Sequence, residues 1–302
     1  MTYLSVAEMA RGFREGRLSP VEIADDVLAR IERADPAVNA YILVDAEQAR
    51  ASARESERRW RAGEPRGPFD GVPVSVKDVL LMRGHPALRG STTTDPQGPW
   101  EEDAPSVARL REQGAVLIGK TTTPELGWKG VTDSPLTGIT RNPWDLSRTP
   151  GGSSGGASAS VALGMPPLAL GTDGGGSVRI PGSFTGVFAH KPTYGRVPHY
   201  PASPFGTLAH VGPISWSVQD AVLLLDAISQ PDSRDWSALP PPGPLTPLRP
   251  RAAGLRIAFS PALGFATVDE EVAEIVAPAA AVFADLGAHV EEKDPGFGDP
   301  VE

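Results

Sequence analysis

An α/β fold, a mixed β-sheet with helices on both faces, is the architecture this sequence predicts. Two observations carry it. Apolar runs of strand length recur at Val72–Val76, Ala115–Gly119, Pro166–Gly171, Gly186–His190 and Leu255–Phe259. Between and around them lie segments with apolar residues at helical spacing, several opened by a capping Ser or Asp. Strand and helix patterns interleaved along one chain indicate a sheet covered by helices. No repeat at a fixed period is visible. The 302 residues can bury a substantial core, as one large or two ordinary domains. We read 1–302 as a single domain, with 230–254 as a Pro-rich surface loop within it.

The elements follow in order. Ser5 to Glu15 reads as a short helix with Val6, Met9, Ala10 and Phe13 on one face. Ser19-Pro20-Val21-Glu22 is a helix start, with Ser at the cap, Pro at the first position and Glu three residues after the cap. That helix is expected to run to about Arg33 and to stop at Asp35-Pro36. Asn39 to Val44 suits a short strand. Asp45 to Ala62 is a long charged helix ending at Gly63, its charges a solvated face. Val72 to Val76 then puts Lys77 and Asp78 at a strand end. His85 to Gln97 is irregular and polar, and is expected over or near the site. Asp103 is expected to cap a helix over Ala104–Gln113, ahead of the strand Ala115–Gly119. Glu125 to Asn142 is loop-rich, with Trp128 and Lys129 in it.

Downstream, Ser153 to Leu163 reads as a helix, Pro166–Gly171 as a strand, and Ser177 as the start of a short helix before the strand Gly186–His190. Tyr200 to Gly206 is a proline-rich loop. Ser217-x-x-Asp220 opens a helix that runs to Ile228. Leu255–Phe259 is a strand, Val268–Leu286 a helix interrupted at Pro278, and Ala288–Glu291 the beginning of another strand.

The chemistry sits in two Gly/Ser clusters around an apolar run. The first is Gly151-Gly152-Ser153-Ser154-Gly155-Gly156-Ala157-Ser158; the second is Gly171-Thr172-Asp173-Gly174-Gly175-Gly176-Ser177-Val178-Arg179-Ile180-Pro181. Such clusters are often flexible linkers, but a helix-like run follows the first and an apolar run leads into the second. Three glycines before Ser177 free consecutive N–H groups to converge on one spot, as in an oxyanion hole. A serine hydroxyl beside that hole needs a base. Lys77 could serve if burial brought its amine down by about three pH units; Val72, Val74 and Val76 make burial plausible. A lone lysine is otherwise more often a surface side chain with its stem along apolar surface. Asp173 and Arg179 are more often a structural ion pair or cap than catalysts.

Three segments together resemble the amidase signature family of serine hydrolases: Gly71 to Asp78, Pro150 to Ser158, and Gly171 to Pro181, continued by Phe184-Thr185-Gly186-Val187 and Lys191-Pro192-Thr193-Tyr194-Gly195-Arg196-Val197. The resemblance runs from about Ser5 to the end of the chain and implies the amidase-signature α/β fold. Carried over residue by residue, it implies Ser177 as nucleophile, Ser153 as a bridging serine with a cis peptide bond, and Lys77 as base. Gly174, Gly175, Gly176 and Ser177 would supply the oxyanion hole, with Ser154, Thr172, Asp173 and Arg179 as supporting or substrate-contacting positions. The implied activity is that of an amidase acting on linear amides through an acyl-enzyme, without metal or organic cofactor, on a small-molecule amide substrate. A homodimer would be unsurprising. Within the family the rival is the glutaminase-like component of the tRNA-dependent amidotransferase; Ile180, before Pro181, resembles the general amidases, where those components tend to carry glutamine. His190 departs from the small or apolar residue usual before Lys-Pro. Family members typically continue past residue 302, so a C-terminal part of the fold is expected to be missing. A catalytically inactive fragment or binding protein is the alternative of another class.

Other patterns are decoys. Gly114-Ala115-Val116-Leu117-Ile118-Gly119-Lys120-Thr121 matches the P-loop literally, but its middle reads as a strand, where phosphate binding needs a loop. Gly151-x-Ser153-x-Gly155 matches a nucleophile elbow, but no strand precedes it, and no histidine has a telling context. The net charge of −9 argues against a nucleic-acid surface. The absence of cysteine removes disulfides, thiol nucleophiles and thiolate metal sites. No signal peptide or membrane-spanning run is evident, and a cytoplasmic location is expected.

Overall fold

Strands that are apolar on both faces need cover on both sides, and the centre of this fold is built that way. The computed structural model describes residues 3–240, 243–245, 251–296 and 298–299. They fall into two compact units, Met1–Thr246 and Pro247–Glu302, each described by itself.

The first unit opens with helices α1 (Val6–Arg14) and α2 (Pro20–Val38), strand β1 (Tyr41–Val44), and helix α3 (Ala46–Ala62). Strand β2 (Pro73–Lys77), helix α4 (Pro105–Glu112), strand β3 (Val116–Thr121) and the short strands β4 (Asp133–Ser134) and β5 (Gly138–Ile139) follow. The rest comprises α5 (Gly155–Ala162), β6 (Leu168–Asp173), α6 (Arg179–Thr185), β7 (Phe188–Ala189), β8 (His210–Ser215) and α7 (Val218–Ile228). The main sheet has the order β1-β3-β2-β6-β8-β7. Its centre, β3-β2-β6, is parallel, and β1, β8 and β7 pair antiparallel around it. The sheet is therefore mixed, as expected.

Alternation along the strands divides the core. Leu117, Val74, Val76, Leu168 and Leu170 pack with α1, α4 and α7 residues such as Phe13, Leu110 and Leu224. Val116 and Ile118 face the other way, against Val27 and Ile31 of α2 and Ala49 and Ala53 of α3. Ala169 and Ile214 pack against Ala157 and Val161 of α5. Burying one such Leu or Ile side chain contributes about 1.5–3 kcal/mol. Helix α5 is buried along its whole length and, apart from Val161, is written in Gly, Ala and Ser, small residues that let its neighbours approach closely.

Several boundaries differ from expectation for identifiable reasons. Helix α2 continues through Pro36 to Val38; its last turn is closed by Asn39, left-handed at φ 55°, whose N–H donates to the Asp35 carbonyl. Asp103 does not cap α4. Ala104 holds that position with no side-chain bond, and Pro105 starts the helix. Asp103 instead accepts from the Arg83 N–H and from both Nε and Nη2 of Arg111. Strand β6 runs two residues further than expected, to Asp173. Strand β8 was not foreseen, because Gly212-Pro213 reads as a breaker. Pro213 is tolerated because its carbonyl, and so its missing N–H, faces the short strand β7, where His190 N–H donates to it.

The second unit is β9 (Arg256–Phe259), α8 (Glu270–Asp285) and β10 (His289–Glu292), with the two strands parallel. Pro278 lies inside α8 without ending it; a proline removes its own N–H bond and leaves the neighbouring ones to carry the helix. Of the 230–254 loop, residues 241–242 and 246–250 lie outside the described residues. Within the first unit, Leu239 N–H donates to the Gly195 carbonyl at 2.8 Å.

The first Gly/Ser cluster is packed, not free. A Cβ on Gly156 would lie 2.3 Å from Thr122 Oγ1 and 2.5 Å from the Ala40 carbonyl oxygen. Gly156→Val is therefore expected to lower stability by about 2–4 kcal/mol, read as a shift in the urea midpoint; an unchanged midpoint would mean that α5 does not sit against Ala40 and Thr122.

Candidate active site

The parallel pairing of β2 with β6 sets the site. Val76 lies opposite Leu170, so both strands deliver their C-terminal residues to one edge of the sheet, Lys77 from β2 and Thr172 and Asp173 from β6. Functional groups collect at the carboxyl ends of parallel strands because the chain there turns out of the sheet.

Lys77 is fully buried. Its Nζ lies 2.7 Å from Ser153 Oγ and 2.9 Å from Thr172 Oγ1. Among the described residues no carboxylate touches it. Burial lowers its pKa to about 7, against the opposing pull of the Asp173 charge. Ser153 reaches the amine from a turn that passes close to other backbone. The Gly152–Ser153 peptide bond is cis, and a Cβ on Gly152 would fall 2.6 Å from the Val131 carbonyl.

Ser154 ties the two clusters together. Its N–H donates to the Ser177 carbonyl, and its hydroxyl donates to the Thr172 carbonyl and accepts from the Thr172 N–H. Asp173 organises the second cluster. It accepts from Gly176 N–H at 2.7 Å, from Val178 N–H at 3.2 Å, and from Nε and Nη2 of Arg179, each at 3.0 Å. Burial pushes its carboxyl up, but the bonds from Arg179, Gly176 and Val178 outweigh that and hold it at about 2.

This arrangement corrects one expectation. The Gly176 N–H is committed to Asp173, so it is not free to join an oxyanion hole. The N–H groups of Gly174, Gly175 and Ser177 have no partner among the described residues. Nor does any hydrogen bond join Ser153 to Ser177 there; the two serines meet instead in the wall of one cavity of about 540 Å³.

The remaining walls are mostly apolar. The Glu125–Asn142 loop contributes Leu126 to Gly130, and the Tyr200–Gly206 loop contributes Pro201 to Phe205. Trp128 and Phe205 stack across them at 5.4 Å between ring centres. Nothing in the sequence analysis places the second loop or His199 at the site, nor singles out Arg89; His199 and Arg89 also line the cavity. Phe205 amid prolines was the available signal. Arg89 comes from the irregular 85–97 segment, expected near the site. The P-loop match is strand β3, with Lys120 buried in it. Among the described residues, no group of three His, Asp or Glu side chains could hold a metal ion, and no helix is long and apolar enough to cross a membrane.

Comparison with known proteins agrees with this framework. The family model described as Amidase matches residues 22–298. An acylamidase of Rhodococcus erythropolis is 41% identical over 99% of this chain and 63% of its own length. A glutamyl-tRNA(Gln) amidotransferase component of Symbiobacterium thermophilum is 41% identical over 96% of this chain and 60% of its own. The crystal structure of a bacterial aryl acylamidase of the amidase signature family superposes with a TM-score of 0.89 at 34% identity, covering 98% of this chain and 62% of that one. The chain belongs to the amidase signature family and has its α/β fold. It spans about three fifths of the length of these relatives.

The buried amine makes a prediction about stability. The folded pKa of about 7 lies below the value of about 10.4 for an exposed lysine. Between those values the unfolded chain holds one more proton, so this group makes stability rise with pH across that window, and adds no slope below it. Relative to Lys77→Met, wild-type stability in urea is expected to climb by about 1.4 kcal/mol per pH unit there. Parallel curves for the two proteins would show that the folded amine keeps its proton.

Proposed function

We propose that this chain hydrolyses a carboxamide C–N bond through a Ser177–Ser153–Lys77 relay and an acyl-enzyme. The observation that carries the reading is the neutral-prone Lys77 amine, 2.7 Å from Ser153 Oγ, in the same site as Ser177. Lys77 takes a proton from Ser153 as Ser153 takes one from Ser177, and Ser177 Oγ attacks the carbonyl carbon. The oxyanion is held by the N–H groups of Gly174, Gly175 and Ser177. Removing one such donor typically costs about 3–4 kcal/mol of transition-state stabilisation. The N-terminus of α5 follows Ser154 directly and adds a positive field there. The protons return along the relay to the leaving amine, and water cleaves the ester. Catalytic hydrogen bonds often tighten only with substrate present, so the Ser177–Ser153 link is assigned to the substrate complex. The apolar cavity and the Trp128–Phe205 pair suit an acyl or aryl group beside the amide.

A second reading, glutamine hydrolysis for an amidotransferase, is favoured by the several glutamyl-tRNA(Gln) amidotransferase relatives at 37–42% identity. Ile180 weighs against it. Turnover of L-glutamine exceeding that of simple anilides would reverse our preference.

The test is labelling with a fluorophosphonate, mapped by peptide mass spectrometry. The adduct is expected on Ser177 and to be slowed at least a hundredfold in Lys77→Ala. An adduct on Ser153 or Ser154 would sink the assigned nucleophile, and no adduct on folded protein would favour a binding role. For the wild type, the labelling rate should rise tenfold per pH unit below about 7 and level off above it, since only the neutral amine of Lys77 can accept the proton.

A further inference from the structure

Among the described residues Arg89 is a cation without a counter-charge, in a site whose walls are mostly apolar. It lines the cavity that holds Ser153 and Ser177. Among the described residues its guanidinium forms no ion pair and no hydrogen bond. The other cations nearby are neutralised: Lys129 by Asp133 and Arg179 by Asp173. Arginine presents a rigid fork of donors matched to a carboxylate, and a buried or half-buried one is ordinarily paired.

The backbone shows that this position is held deliberately. Arg89 has φ 57°, a left-handed conformation that is sterically unfavourable for a side-chain-bearing residue and that glycine adopts freely. Three hydrogen bonds fix it. Its N–H donates to the Asp78 carbonyl at 3.1 Å and to Asp78 Oδ2 at 2.9 Å, and its carbonyl accepts from Leu126 N–H at 2.7 Å. Asp78 is in turn clamped by the buried Lys120, whose Nζ is 3.2 Å from Oδ1. Leu126 leads into Gly127, where a Cβ would sit 3.5 Å from Ser153 Oγ. The chain thus places an arginine, in a conformation glycine would fill at no steric cost, one short loop away from the catalytic serines.

We propose that Arg89 is a specificity-determining residue that selects amides carrying a carboxylate, with the scissile carbonyl at Ser177 and the carboxylate on the Arg89 guanidinium. The assignment of the carbonyl rests on the amidase reading above; the anion site does not.

The test uses binding first. On Ser177→Ala protein, calorimetry compares 4-acetamidobenzoate with its methyl ester. The acid is expected to bind 10–100-fold more tightly, the range of a charged hydrogen-bonded contact, with a preference that shrinks as salt rises. Adding Arg89→Gly, which suits φ 57° and so should fold with a urea midpoint at or above that of the parent, is expected to abolish the preference. Adding Arg89→Lys should keep part of it. Equal affinities for acid and ester, binding of neither, or a preference that survives Arg89→Gly would overturn the proposal. On protein with Ser177 intact, the ratio of kcat/KM for acid over ester should fall at least tenfold in Arg89→Gly, mainly through KM. An acid preference lost in Arg89→Gly, on protein that neither turns over amides nor takes the fluorophosphonate, would retain the anion site and discard the amidase reading.

Discussion

An amine sealed from water with only hydroxyls against it is the constraint around which this site is arranged. Lys77 can be buried because β2 is a central strand with neighbours on both sides and helices on both faces. A lysine on an edge strand would reach solvent along its own stem. Its partners must then come from elements that meet the end of β2. Thr172 comes from the adjacent parallel strand, and Ser153 comes from a turn whose Gly152 has no side chain where it passes Val131. The glycines, the small-residue helix α5 and the strand order all follow from bringing two hydroxyls to one buried nitrogen.

The second cluster answers a different requirement, that bare amides stay bare. Three successive glycines could close on themselves or hydrogen-bond elsewhere. Asp173 prevents this by taking Gly176 and Val178 N–H for itself, and Arg179 neutralises the charge that results. With Gly176 at φ 115°, the loop turns so that the amides on either side of it have no protein partner among the described residues. The carboxylate organises the loop and takes no proton: held at about 2, it stays ionised wherever Lys77 can be neutral. Its stabilising contribution is present above the ordinary carboxylate range and is lost only as pH falls toward that value.

Much of this was legible in the sequence for reasons that can be named. Val72, Val74 and Val76 announced a buried strand with Lys77 at its end, and the Gly/Ser runs announced close approaches, because only glycine tolerates them. Ser19, Asp45 and Ser217 marked helix starts that the structure keeps. What was not legible depends on contacts distant in sequence. Asp103 looks like a cap until Arg111 and Arg83 claim it. Pro213 looks like a breaker until β7 proves too short to need its N–H. The commitment of Gly176 to Asp173 depends on which way a carboxylate three residues earlier points, and no residue pattern encodes that. The wall formed by Pro201–Phe205 was opaque because a proline-rich loop has no periodicity to read.

The two buried lysines show how the same residue type is given opposite surroundings within one sheet. Lys77 and Lys120 lie on adjacent parallel strands, Lys120 registered beside Val76, and both lose their hydration. Burial lowers the pKa of each. Lys120 recovers part of that loss from the charge of Asp78, and its Nζ donates to the Leu80 and Pro86 carbonyls. Its contact with Asp78 is charge against charge, and breaking one member of such a buried pair costs about 3–5 kcal/mol. That makes it a clamp on the segment running from Asp78 to Arg89. Lys77 is given hydroxyls, which stabilise an ammonium far less than a touching carboxylate does and can receive or return a proton. Asp173 is near enough to oppose the shift but is occupied by Arg179 and two amides. Exchange the partners and the proposed relay would fail: a carboxylate against Lys77 would keep the amine charged, while hydroxyls against Lys120 would leave the Asp78 carboxylate buried without its cation. The difference between the two lysines is therefore set by the first atom each Nζ meets, and the strand register of β2 against β3 and β6 decides which atom that is.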